Sequence, residues 1–234
     1  MSQTAVGFDR HVYFRHERFE EVRVETIKTP AEGRTLLRNA SWETYERLIE
    51  EREERRNPRF FYDRGVLEIM SPYIEHESVS RITGTLVGEI AIEMDIDVFD
   101  AGSTTYKRED LEGGFEPDEC FYFGENIERV RGKKKLDLDA GVPAPDLVIE
   151  VAITSFSINK FPIYARLGVR EVWRHDGERI EILALQNSEY AEVSESAFLP
   201  SATGEILTKF VADGLRMERP AWARRVREWA RESG

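Results

Sequence analysis

"APDLVIEVAI", Ala144 to Ile153, sets a charge inside a run that asks for burial. Leu147, Val148, Ile149 and Val151 have the aliphatic, largely β-branched character of a strand, and Glu150 sits among them. Successive strand side chains point to opposite faces. Leu147, Ile149, Val151 and Ile153 therefore form a core-facing row, while Asp146, Val148, Glu150 and Ala152 look the other way. On this reading Glu150 stays out of the core and shares its face with Asp146.

An earlier stretch, "GFEPDECFYF", repeats the arrangement and reads as another strand. Phe121 and Phe123 face the core, and Glu116, Asp118, Cys120 and Tyr122 share the opposite face. Pro117 cannot donate to a sheet ladder, so it belongs to an edge or a strand beginning. If the two strands are neighbours, Asp118 and Glu150 meet on one face. Two semi-buried carboxylates repel and are costly to desolvate, and a shared proton or a bound cation resolves this. Mg²⁺ takes one or two carboxylates with water and phosphate. Such an ion can activate water and stabilise charge on a phosphodiester. Lys160, at the start of the helix that follows, can point back to the strand end and steady an anionic transition state. Solvated or salt-bridged carboxylates are the plainer alternative for the same pattern.

The remaining chain is a mixed α/β pattern with a central sheet and helices outside. Ser41 caps a helix through "WETYERLIEEREERR". "RFFYDRGVLEIMSP" reads as two strands about a turn at Asp63 to Gly65. Val79, Ile82, Leu86, Ile90 and Met94 make one helical stripe. "ERVRGKKKLDLDAGVPA" reads as a charged loop, and "NKFPIYARLG" as a short helix stopped by Gly168. "REVWRHDGERIEILALQNSEYAEVS" supplies strands around Asp176-Gly177. A final helix, "PAWARRVREWARES", carries Trp222 and Trp229 on one face, which fits packing on the body or on a second subunit better than stacking on DNA.

The chain has 234 residues and a net charge of -12, which argues against nucleic-acid binding through a broad basic face. The single cysteine, Cys120, excludes a disulfide framework and fits a packed small hydrophobe better than a nucleophile. No apolar run approaches a membrane span, and the N-terminal residues lack a signal-peptide pattern, so a cytoplasmic protein is expected.

Three blocks in order, "YDRGVLEIMSPYIEHE", "GSTTYKREDLEGGFEPDECFYF" and "APDLVIEVAITSFSINKFPIYARLGVREVWRHDG", resemble the Uma2 family of restriction endonucleases, within the PD-(D/E)XK nuclease superfamily. The resemblance spans roughly Arg59 to Gln186. It implies a restriction-endonuclease-like core, a central mixed β-sheet flanked by helices, and Mg²⁺-dependent cleavage of DNA, with Mn²⁺ as a substitute. Pro117-Asp118 resembles the PD motif and Glu150 the acidic residue of the second half. These two are the implied metal ligands. The superfamily lysine would fall at position 152, where this chain has Ala152, and Lys160 matches a basic residue often found on the next helix. His76 matches a histidine near the start of the first core helix. It would position substrate or a metal-held water, or else only touch Tyr73 or Glu77. Glu68 is a candidate to approach the same face, and Asp146 is either a second ligand or a strand start. Glu77 and Glu89 read as solvated helix charges.

Residues 1–58 are then an N-terminal extension with a helix, 59–186 the nuclease-like core, and 187–234 C-terminal strands and a helix packing on that core. The expected function is an endonuclease using Asp118, Glu150, Lys160 and His76. Ala152 and the acidic net charge motivate the alternative, a disarmed nuclease fold that binds DNA or serves assembly. The oligomeric state stays open, and a homodimer would let two sites act on two strands.

Overall fold

The computed structural model describes residues 22–28, 32–52, 55, 57–152 and 158–234. Antiparallel β1 (Arg23–Lys28) and β2 (Glu32–Arg38) come first, followed by α1 (Trp42–Arg52). Ser41 Oγ accepts from the Thr44 N–H at 3.2 Å and starts that helix as the sequence suggests. The hairpin β3 (Arg59–Asp63) and β4 (Val66–Pro72) turns at Gly65, whose φ of 87° favours a residue without a Cβ. Next come α2 (Ile74–Glu93), β5 (Val98–Asp100), β6 (Tyr106–Arg108), β7 (Gly113–Phe115) and β8 (Glu119–Phe123). Then follow α3 (Glu125–Val130), β9 (Leu147–Val151), α4 (Phe161–Leu167), β10 (Glu171–His175), β11 (Ile180–Gln186) and β12 (Glu189–Glu192). The last two elements are α5 (Gly204–Gly214) and α6 (Arg219–Ser233).

Among the described residues the strands form two sheets of six, in the orders β1-β2-β4-β3-β7-β6 and β12-β11-β10-β9-β8-β5. The second is the expected central mixed sheet: β9 and β10 run parallel, and its other pairs are antiparallel. On one face it packs against α2, α5 and α6 through Phe121, Leu147, Ile149, Val151 and Trp173. On the other face Cys120, Tyr122, Val148 and Val172 meet Phe61 and Phe115 of the first sheet and Ile163 and Tyr164 of α4. The outer face of the first sheet is covered by α1 through Trp42 and Tyr45.

This layering corrects one expectation. The alternation along β9 is as read, but both faces are buried, so Glu150 is drawn into a second core rather than left outside. Alternation assigns a side chain to a face; only another layer decides whether that face is wet. Ile153, the last residue of the expected row, lies outside the described residues.

"GFEPDECFYF" is likewise not one strand. Glu116, Pro117 and Asp118 carry the chain from β7 in the first sheet to β8 in the second. Pro117 lacks the N–H that a continuous ladder would need. The charged stretch after Phe123 opens with α3 instead of a loop, burying Ile127 and Val130. The sequence reading also missed α5, although its signals were present. Thr203 Oγ1 accepts from the Ile206 N–H at 3.3 Å, and Leu207, Phe210 and Val211 fall at helical spacing and are buried. Trp222 is buried and Trp229 packs against the same core, as expected of the last helix. No helix among the described residues is long and apolar enough to cross a membrane.

Candidate active site

The C-terminal end of β9 is where the two sheets, the start of α2 and the start of α4 converge. β8 and β9 pair Glu119 with Ile149, and one step further in that register brings Asp118 opposite Glu150. Both carboxylates are buried, at 2% and 5% exposure. Asp118 Oδ2 accepts from the Val151 N–H at 2.7 Å and lies 3.4 Å from His76 Nε2. His76 Nε2 also lies 3.0 Å from the Val151 carbonyl oxygen, to which it can donate. Lys160, 8% exposed, donates to Glu150 Oε2 at 2.8 Å, and the Tyr164 hydroxyl donates to Glu150 Oε1. The four residues singled out from sequence, Asp118, Glu150, Lys160 and His76, thus form one cluster.

Lys160 reaches the site because α4 begins beside the end of β9. Asn159 Oδ1 takes the Phe161 N–H at 3.2 Å, Pro162 occupies the first turn, and Gly168 at φ 90° ends the helix. The ammonium lies 3.5 Å from the Phe61 ring centroid, a cation–π contact that holds it in an otherwise apolar wall. The Tyr164 ring is wedged edge-on between Phe61 and Phe115, which fixes the hydroxyl on Glu150.

Sequence reasoning missed Arg59, Glu77 and Tyr164. Arg59 opens β3, donates through one terminal nitrogen to Asp118 Oδ1, and through the other reaches Glu77 Oε1 at 2.6 Å. Glu77 is therefore ion-paired and not a free helix charge, and Glu89 likewise meets Arg227 of α6 at 2.5 Å. Tyr164 had a usable signal, because it lies four residues after Lys160 and so on the same helix face. Arg59 had none, since its contact depends on one sheet facing the other.

Of two other candidates, Asp146 falls elsewhere and Glu68 lies beside the cluster, opposite Phe61 in the first sheet. Asp146 sits at the opposite end of β9. It accepts from the Phe123 N–H at 2.8 Å and the Asn126 amide at 2.9 Å, and meets Arg170 at 3.2 Å, so it is a strand start that ties loops together. Glu68 pairs with Arg34 inside the first sheet and accepts from the Ile158 N–H at 3.1 Å, two residues before Lys160. Cys120 is buried, its Sγ 3.1 Å from the Gly102 carbonyl, and burial pushes its thiol far above the ordinary range. That is the packed small hydrophobe the sequence suggested.

Burial alone would raise the Asp118 carboxyl, but His76, Arg59 and Lys160 outweigh it and hold the group below the usual carboxylate range. Glu150 goes the other way. Its burial, reinforced by the Asp118 charge, exceeds what Lys160 and Tyr164 restore, and its proton affinity rises. The pair is thus split into a carboxylate that stays ionised and one that takes a proton more readily.

Among the described residues no three His, Cys, Asp or Glu side chains converge as a metal cage. The donors present suit a hard ion that keeps water and phosphate in its shell: two carboxylates, with the Val151 carbonyl beside them. Each carboxylate is balanced by a protein cation, Arg59 at Asp118 and Lys160 at Glu150.

Next to this cluster Glu119 lies against α2, where Gly84 leaves room: a Cβ there would come within 3.1 Å of Glu119 Cγ. Burial pushes the Glu119 carboxyl up to about 7, against the pull of Arg81 at 2.9 Å. A carboxyl whose folded pKa exceeds its unfolded value of 4.5 binds its proton more tightly when folded, so stability falls as pH rises from 4.5 to about 7. Glu119→Gln should flatten that decline and raise stability at pH 8 by on the order of 1–3 kcal/mol. Urea unfolding of both proteins at pH 5 and pH 8 checks this; an equal fall in the variant would assign the decline to another group.

Paired carboxylates with a lysine at one end of a mixed sheet define a restriction-endonuclease-like protein. The chain matches the model of the Uma2 family, described as "Putative restriction endonuclease", over residues 42–217, well over half its length, and it belongs to that family. No curated protein matches it.

Proposed function

We propose that this protein is a divalent-cation-dependent endonuclease that hydrolyses DNA phosphodiester bonds at Asp118, Glu150 and Lys160. The observation that carries the reading is Lys160 Nζ at 2.8 Å from Glu150, beside Asp118. Helix α4 supplies the cation that the strand, with Ala152, does not. Mg²⁺, or Mn²⁺ in its place, held by Asp118 and Glu150 would activate water and offset the charge of the scissile phosphate.

The chain's own groups divide the remaining work. Asp118, kept ionised, is the permanent anion of the site. Glu150, with its raised proton affinity, is suited to take the proton of the attacking water. Lys160 can turn from Glu150 to the phosphate oxygen on which charge develops. His76 acts as a positioning residue, tying the Val151 carbonyl to Asp118. The DNA substrate rests on the family, the place of work on this reading is the cytoplasm, and a homodimer would bring two such sites to two strands.

Supercoiled plasmid incubated with the protein and Mg²⁺, then Mn²⁺, tests this beside Asp118→Asn and Glu150→Gln. Wild type should nick and linearise the plasmid, and both variants should lose at least a hundredfold in rate. DNA retention without cutting in either metal, with no metal uptake by calorimetry, would replace the nuclease with a disarmed binding module.

A further inference from the structure

Arg59 pairs with Asp118 but has no part in the proposed hydrolysis. It is 3% exposed, and its fork is split between two carboxylates: one terminal nitrogen on Asp118 Oδ1, the other on Glu77 Oε1 at 2.6 Å. Its Nε is buried and has no hydrogen-bond partner among the described residues. Arg52 differs in placing both terminal nitrogens on a single carboxylate, Glu116, at 2.5 and 2.6 Å, with the Pro58 carbonyl as a further acceptor at 2.8 Å. Leaving a buried donor unpaired costs free energy. Arg52, Arg166 and Arg174 leave Nε unpaired as well, so what sets Arg59 apart is its place: a fork split between two carboxylates, one of them Asp118.

Its two anchors differ. Asp118 is enclosed, whereas Glu77 is 27% exposed on the first turn of α2, with Arg81 3.9 Å away. A divalent cation at Asp118 would occupy the acceptor that Arg59 uses and repel its charge. The Glu77 anchor would remain. The guanidinium would then turn about that anchor with one terminal nitrogen and Nε released, next to the place where a phosphate would meet the cation.

We infer that Arg59 is a two-position gate: counter-ion of Asp118 before a cation binds, and ligand of a substrate phosphate oxygen afterwards. This rests on the reading of Asp118 and Glu150 as a cation site. It makes Arg59 a competitor of the metal and a partner of the DNA, so its loss must move the two affinities in opposite directions. A fixed counter-ion would tighten the metal and leave the duplex unmoved, and an arginine needed only for folding would weaken both together.

Mn²⁺ binding is measured by calorimetry without DNA. Separately, binding of a duplex carrying a non-cleavable linkage is measured in Ca²⁺. Arg59→Gln should tighten Mn²⁺ several-fold and weaken the duplex about tenfold, the value of one charge-assisted phosphate contact. Arg59→Lys should fall between wild type and Arg59→Gln in both. Glu77→Gln, at a partly exposed position, provides a variant that does not empty the core. With its outer anchor weakened, Arg59 should stay on Asp118 and Mn²⁺ affinity should fall several-fold. Unchanged Mn²⁺ affinity in both Arg59→Gln and Glu77→Gln, or parallel loss of metal and duplex in Arg59→Gln, overturns the gate and leaves the cation site standing. No Mn²⁺ uptake by wild type or by either variant overturns the cation site and the gate together.

Discussion

Lys160→Met should lower plasmid cleavage about 10²–10³-fold, the usual cost of removing one preorganised electrostatic group. The substitution is chosen to spare the fold. Methionine keeps the length of the lysine stem and can lie on the Phe61 ring, where the ammonium now sits 3.5 Å from the centroid. The lost charge acts twice. The phosphate loses its cationic donor, and Glu150 loses the partner that holds its proton affinity down against burial. Glu150 must then titrate higher still, so the residual cleavage should shift towards higher pH than in wild type. Stability should show the matching sign. A carboxyl with a raised folded pKa makes the folded state lose stability as pH climbs from its unfolded value of 4.5, and the variant should lose more than wild type over that climb. Single-turnover cleavage from pH 5 to pH 9 reads the first effect and urea midpoints read the second. A variant that cuts at the wild-type rate with an unmoved pH profile would remove Lys160 from the mechanism.

Asp118→Ala should cost about 3–5 kcal/mol of folding stability, because it breaks a buried ion pair by deleting one partner. Arg59 would be left buried with Glu77 alone, and the Val151 N–H, now 2.7 Å from Asp118 Oδ2, would lose its acceptor. Asp118→Asn keeps a carbonyl oxygen for that N–H and should cost less. An inactive alanine variant would therefore mix lost chemistry with lost structure, which is why asparagine serves better in the cleavage experiment. Adding Arg59→Met to Asp118→Ala should recover part of the stability, since the stranded charge is gone. Equal urea midpoints for wild type and Asp118→Ala would show that Glu77 alone satisfies Arg59 and that the pair does not hold the fold.

Much of this centre could be read from local pattern. The period of two along "PDLVIEV" placed Glu150 on the face opposite Leu147, Ile149 and Val151, and the structure keeps that parity. Pro117 marked an irregular point, and Asn159, Pro162 and Gly168 framed the helix that presents Lys160. Such signals are legible because they arise within a few residues, from backbone geometry and side-chain period. What that pattern could not supply was the opposite wall. Burial of Glu150 follows from a second sheet laid over β9, and the break at Pro117 from the chain passing between sheets.

The sequence by itself determined the β9 strand, the α4 helix that follows it and the face that Glu150 takes, and it singled out Asp118, Glu150, Lys160 and His76 as candidates. Only the tertiary structure decided how they are charged. Asp118 meets Arg59 across 59 positions of chain, and Arg59 meets Glu77 across 18. Those contacts exist because two sheets and a helix end converge on one buried point. Ion pairing there depends on distance and desolvation, neither of which is encoded in local periodicity.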